Sequence, residues 1–470
     1  MSEFDNEADG MNDKEFEEHL KLFEDMINTG KVHYFDADDI EEIIDYYLQW
    51  LNYDLAKKAI DYGLERFPFS SIIKIRYAQY LSSQHYTHEA LAILNEVEHI
   101  ERNNFDLYMA RGLIYSQMGL GEQAIENFKN ALPLAENKDE VYVALGIEFL
   151  NEDKPDDALY YLKKAIKMNS KNEMALNELS LCFDLTERSH EAISFFQDYI
   201  DNNPYSYFAW FNLGLGYSRM GLFEKAIEAY DYAIAINEQF SSAYFNKANS
   251  LAQLERYEDA IEVYKETFKH EDHDPTTYYY IGECYENLER FEESLVNYNK
   301  CVKLDPANAD AWLGIGVVLE AMNRLTESVH YVKKAIEINP NEAEYWYVFA
   351  EVQEKLGFTE EAALAYQRVI ELDYPDYDAY LDYAKLLHHN SYITECVNTL
   401  LDGIKKFPDV AELYYRLAII FIDNQQRKES LELFEQALQM DYAKHIDIFE
   451  YAPVLANDSE ILKLISTFKK

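Results

Sequence analysis

Glycine and proline are scarce, at 15 and 10 of 470 residues, which argues for a mostly helical chain with short loops. Cysteine is scarcer still. Cys182, Cys284, Cys301 and Cys396 contain no Cys-x-x-Cys pair, so a zinc finger or redox pair is not expected and the four read as reduced core thiols. No run of about 18 apolar residues occurs, which excludes a membrane-spanning helix. The N-terminal MSEFDNEADGMNDKEFEE has neither the basic nor the apolar part of a secretion signal, so the expected location is cytoplasmic. Basic residues are in deficit, 42 against 87 acidic, for a formal charge of −45. A phosphate-gripping surface gains affinity by releasing counterions to Lys and Arg, so nucleic acid is disfavoured as a partner. No P-loop, GxSxG, HExxH or dinucleotide fingerprint is present, and neither an enzyme activity nor a cofactor is expected.

What is abundant is apolar and aromatic surface: 48% of residues are hydrophobic, with 40 tyrosines and 26 phenylalanines. It is organised periodically. In residues 207–240, Trp210, Leu213, Gly214 and Tyr217 share one helical face, Gly221 marks a turn, and Ala226, Tyr230 and Ala233 share the inner face of a second helix. The small Gly214 and Ala226 sit where two antiparallel helices would press closest. A 34-residue ruler laid outward from Tyr207 gives starts at Ala37, Ser71, Phe105, Asp139, Glu173, Tyr207, Ser241, Pro275, Ala309, Ala343, Tyr377 and Ala411 without an insertion. Position 20 of every unit is small, from Ala56 to Ser430, and position 8 is small in all but the first, which has Ile44. Position 24 is large and apolar or aromatic throughout, and position 32 is proline at Pro68, Pro204, Pro306, Pro340 and Pro408, where it ends the second helix.

The spacing Trp-x2-Leu-Gly-x2-Tyr followed by Ala-x3-aromatic resembles the tetratricopeptide repeat, a helix-turn-helix unit of 34 residues. The resemblance covers residues 37–444 as twelve contiguous repeats. It implies an all-α fold, a right-handed superhelical α-solenoid of helical hairpins whose first helices line a concave groove. Around the array, residues 1–12 are expected to be a disordered acidic tail. Residues 13–36 are expected to form an N-terminal helix packed on the array. Residues 445–470 are expected to form a capping hairpin, with Asp458 or Ser459 capping its last helix.

In the family, positions 2, 5, 6, 9, 12 and 13 of the first helix face the groove. Position 5 is mainly apolar here, and repeats six to eight add further aromatic and amide residues. The candidate peptide-binding set is Phe208, Phe211, Asn212, Phe245, Asn246, Asn249, Tyr279, Tyr280 and Glu283. Asn can hold a peptide backbone whatever its sequence, while aromatics contribute affinity. The competing reading is that these aromatics are packing in a tyrosine-rich chain. The carboxylate clamp of chaperone-tail adaptors is absent, since no repeat has Lys at position 2. Groove acids, among them Asp38, Glu41, Glu42, Asp45, Glu286, Glu320, Glu351, Glu354 and Asp382, would select a partner segment with basic and apolar residues, unless they are merely a solvated face. His388, His389, His270 and His273 lack metal-ligand spacing and read as surface residues.

These readings imply a monomeric protein–protein interaction scaffold or adaptor that holds a peptide or helix segment in its groove. The alternative is a substrate-recruiting, non-catalytic subunit of a separate enzyme such as a glycosyltransferase. Self-assembly through the array ends is a weaker third reading.

Overall fold

The computed structural model describes residues 3–270 and 273–468. It separates into two compact units, residues 1–237 and 238–470, and every regular element among the described residues is a helix. In the first unit, α1 (Glu3–Thr29) precedes six antiparallel hairpins. These are α2 (Ala37–Gln49) with α3 (Tyr53–Arg66), α4 (Ser71–Ser83) with α5 (Thr87–Ile100), and α6 (Phe105–Gln117) with α7 (Gly121–Ala131). Then come α8 (Lys138–Asn151) with α9 (Pro155–Met168), α10 (Glu173–Leu185) with α11 (Ser189–Asn202), and α12 (Tyr207–Arg219) with α13 (Phe223–Ile236). The second unit repeats the scheme with α14 (Ser241–Gln253) and α15 (Tyr257–Thr267), α16 (Pro275–Asn287) and α17 (Phe291–Leu304), and α18 (Ala309–Ala321) and α19 (Leu325–Ile338). It continues with α20 (Ala343–Leu356) and α21 (Thr359–Glu371), α22 (Asp378–His389) and α23 (Ile393–Lys406), and α24 (Ala411–Asp423) and α25 (Arg427–Met440). Last are α26 (His445–Tyr451), a 3-10 turn (Pro453–Asn457) and α27 (Ser459–Phe468). Each unit is an all-α solenoid of helical hairpins, and each first helix begins within one residue of the 34-residue ruler.

Local chemistry explains the hairpin. The residue before many first helices is a capping one: Asn104 Oδ1 accepts from Leu107 N at 2.9 Å, Asn172 from Ala175 N at 2.8 Å and Asn308 from Ala311 N at 2.8 Å. Position 15, between the paired helices, has positive φ in all twelve hairpins, yet only Gly119, Gly221 and Gly357 are glycines there. The other nine, from Leu51 (56°) to Gln425 (63°), hold a left-handed conformation that disfavours a side chain.

Packing explains the small columns. A Cβ on Gly214 would stand 2.5 Å from Tyr230 Cε1, and one on Gly282 would stand 2.7 Å from Tyr298 Cδ1. The position 24 ring therefore lies directly on position 8 of its own hairpin. At two of the three repeats with serine at position 20 the hydroxyl donates to the position 8 carbonyl, Ser294 to Gly282 O (2.8 Å) and Ser328 to Gly316 O (2.7 Å). Between hairpins, Trp210 Nε1 donates to Pro204 O (2.9 Å), Trp312 Nε1 to Pro306 O (3.0 Å) and Trp346 Nε1 to Pro340 O (2.9 Å). Proline stops one helix, and its carbonyl anchors the next hairpin's tryptophan.

Two segments differ from the sequence expectation. Helix α1 starts at Glu3, so residues 3–12, expected to be a disordered tail, continue a helix instead; Met1 and Ser2 lie outside the described residues. Once residues 16–27 are held by packing against the first hairpin, with Phe23 fully buried, extension costs far less than nucleation. At the other end, α26 is only seven residues long and a 3-10 turn separates it from α27, so residues 445–468 form no regular hairpin. Pro453 stands two residues after the last residue of α26 and cannot continue it. Asp458 Oδ1 accepts from Ile461 N (3.2 Å) and caps α27.

Candidate functional site

Successive first helices meet through side chains at the positions named above, and so build one face in each unit. In the first unit Arg76 (α4) reaches Glu41 and Asp45 (α2), both at 2.7 Å, and Asp106 (α6) at 3.7 Å. One guanidinium thus gathers three acids from the two first helices that flank its own. Burial pushes the Glu41 and Asp45 carboxyls up from their ordinary values, and Arg76 opposes that shift in both.

Phe208, Phe211 and Asn212 lie on α12 in the first unit, and the other six candidates lie on α14 and α16 in the second. Asn212 needs correction as a peptide-facing amide. It is 2% exposed, and its Nδ2 donates to Phe208 O at 2.9 Å. Its Nδ2 is thus satisfied within its own helix, while its buried Oδ1 has no hydrogen-bond partner among the described residues. Asn246 likewise donates to Ser242 O (2.9 Å) but remains half-buried. The second-unit residues come together. The Phe245 and Tyr280 rings are 5.6 Å apart and those of Tyr279 and Tyr280 5.2 Å apart, while Asn249 accepts from the Tyr264 hydroxyl.

Of the five position 5 aromatics Tyr415 is buried, and the other four have two roles. Each leans on the position 24 ring of its own hairpin: Phe211 on Tyr230 (5.8 Å), Phe245 on Tyr264 (5.6 Å), Tyr279 on Tyr298 (5.7 Å) and Tyr347 on Tyr366 (6.0 Å). Packing therefore claims one side of the ring, and all four stay only half-buried.

Sequence reasoning missed the tyrosines beneath this face. Tyr298 and Tyr366 belong to second helices, yet their hydroxyls emerge at position 12 of their own first helix, donating to Glu286 Oε2 (2.7 Å) and Glu354 Oε2 (3.2 Å). Tyr rather than Phe at position 24, with an acid at position 12 of the same repeat, was the available signal. Tyr345 donates to Asp310 (2.5 Å) and Tyr347 to Asp382 (2.5 Å), each one hairpin away.

Four first-helix acids of the second unit, Asp310, Glu286, Glu354 and Asp382, thus accept from phenols. Burial raises the Glu283, Glu286, Glu344 and Glu351 carboxyls; Asp310 adds repulsion at Glu283, and among these four a cation acts only on Glu351, from Lys355. Position 6, where Arg76 stands in the first unit, is Tyr280, Gly314, Val348 and Asp382 on α16, α18, α20 and α22. Elsewhere the histidines take local partners: His270 stacks on Tyr244 and His273 packs edgewise on Phe268. His388 bridges Asp423 and Tyr451. Among the described residues no helix is long and apolar enough to cross a membrane.

A stack of helical hairpins with a continuous first-helix face defines a class of protein-interaction scaffold. Family models described as tetratricopeptide repeat match residues 105–138, 143–207, 207–240, 241–267, 275–308, 309–342, 343–376 and 411–444, and the chain belongs to the tetratricopeptide-repeat family. Similar solved structures include yeast Tom70, at 16% identity and TM-score 0.43, covering 92% of this chain and 99% of that one. The APC/C hetero-tetramer Cut9-Hcn1 matches at 14% identity and TM-score 0.43, covering 87% and 94%. YrrB, described as a TPR protein with an unusual peptide-binding site, matches at 20% identity and TM-score 0.34, covering 42% and 97%. No curated protein matches this chain.

Proposed function

We propose that this protein is an adaptor without catalysis of its own, which holds a peptide or helix carrying basic and apolar residues on its first-helix face. The observation that carries the reading is Arg76, a side chain seated among three acids of the two flanking first helices as a partner's arginine would be. In the second unit the same face keeps desolvated acids, while position 6 of α16, α18, α20 and α22 supplies no cation. A partner's Lys or Arg would offset that desolvation, and the exposed sides of Phe245, Tyr279 and Tyr280 would take its apolar residues. Asn246, Asn249 and Glu283 complete the second-unit contacts, and Phe208 and Phe211 serve the first unit's own face.

The test is fluorescence anisotropy with a labelled peptide alternating Arg and Leu, against its Glu–Leu counterpart. Only the basic peptide should bind, and Asn249→Ala/Tyr279→Ala/Glu283→Gln should weaken binding at least about tenfold, or about 1.4 kcal/mol, with an unchanged helical circular-dichroism signal. Equal affinity of variant and wild type would remove the second-unit site.

A further inference from the structure

We propose that α26 is a displaceable strap, an internal stand-in for a partner segment that presents an aromatic side chain to α22 and α24. The positions it covers belong to the face assigned above to partner binding, so the biological use of the strap rests on that reading, although its existence does not. Tyr451 reaches back 63 residues, past the whole α24/α25 hairpin, to place its hydroxyl 3.2 Å from His388 Nδ1. The Arg416 guanidinium lies over the Tyr451 ring at 3.4 Å from its centre, and His388 Nε2 is 3.2 Å from Asp423. Arg416 is at position 6 and His388 at position 12 of their repeats, and Ile448 is buried beside them.

The two terminal helices are held differently. Helix α27 packs on the second-helix side, with Ile461 and Ile465 buried, its N-terminus capped by Asp458, and Arg427 tied to Asp458 (2.6 Å) and Glu460 (3.2 Å). Helix α26 has seven residues and no side-chain cap, too few to persist away from its contacts, and Pro453 prevents it from gaining length. Among the described residues its hold is Ile448, buried in the cluster of α24 and α25, an aromatic ring on a guanidinium, a hydroxyl on an imidazole, and the Lys444–Glu412 pair (2.8 Å) at its start. Parting them would withdraw Ile448 from the cluster it shares with α24 and α25, while Ala418 and Phe434, both fully buried, keep their packing within that hairpin. Release would leave Arg416 and His388 facing outward, a cation and an imidazole spaced to take a tyrosine or phenylalanine.

The experiment is diethylpyrocarbonate labelling of the full chain, reading His388 against the neighbouring, exposed His389, with a synthetic peptide of residues 445–457 as probe. In Tyr451→Ala, His388 should label at least about tenfold faster than in wild type, with His389 unchanged. The peptide at millimolar concentration should restore protection, and the same peptide carrying Tyr451→Ala should not. Hydrogen exchange should show lost protection confined to residues 445–457. Unchanged His388 labelling, loss spreading into α24, α25 and α27, or failure of the peptide to protect would each overturn the proposal. The arginine–leucine peptide plays no part, so failure of the partner reading would leave this result standing.

Discussion

Replacing Arg76 with methionine keeps most of the stem's packing and removes the charge that three acids share. The Arg76 side chain is 14% exposed and Glu41 20%, whereas Asp45 and Asp106 are 46% and 43% exposed. Breaking a fully buried pair costs about 3–5 kcal/mol, and an exposed pair is worth under about 1 kcal/mol. The two 2.7 Å contacts fall between those limits, so the expected loss is about 2 kcal/mol. Its pH dependence gives the sharper test. Burial already holds the folded Glu41 and Asp45 carboxyls above their unfolded values, and Arg76 opposes this. In the variant both rise further. An acid whose folded pKa is raised destabilises the fold when ionised, and the penalty fades as pH falls through the folded value toward the unfolded one. The deficit should therefore be full at neutral pH and shrink toward pH about 4. Hydrogen exchange of α2, α4 and α6 amides across that range measures it locally, as a repeat array requires. Equal protection at neutral pH, or a deficit that grows on acidification, would refute the reasoning.

Three further outcomes are expected. Leu51→Gly should stabilise the first hairpin by about 0.5–1 kcal/mol, because residue 51 has φ 56° and its side chain is 67% exposed; slower exchange in α2 and α3 would show it. Gly282→Ala should cost about 1–3 kcal/mol despite alanine's higher helix propensity, since the new methyl meets the Tyr298 ring; urea titration followed by exchange in α16 and α17 reads this. Native chain should react negligibly with a thiol reagent at neutral pH and show four thiols after denaturation, because burial pushes Cys284 up to about 12 and Cys182, Cys301 and Cys396 up to about 11.

The hairpins were legible in the sequence because their determinants are close along the chain. Gly214 and Tyr230 are sixteen residues apart and Ser294 and Gly282 twelve, so the demand for a small residue recurs at a constant offset. The left-handed turn residues were nearly hidden, because nine of twelve are not glycine and hairpin packing imposes the conformation on Leu, His, Asp, Glu, Asn, Ser and Gln alike. The candidate site was legible as a column and not as a set of free groups. Asn212 and Asn246 share position 6, yet one is 2% exposed and the other half-buried, a difference that depends on neighbours the repeat pattern does not name.

By itself, then, the sequence determined the unit, its length, its register and the columns from which a binding face is built, because helical periodicity and close helix crossing act over a single repeat. Tertiary structure decided which side chains on that face already have partners. Arg76 pairs with Glu41 across 35 residues, Tyr347 with Asp382 across 35, and Tyr451 with His388 across 63. Such pairings depend on side-chain reach between stacked helices, and one-dimensional spacing carries no record of it.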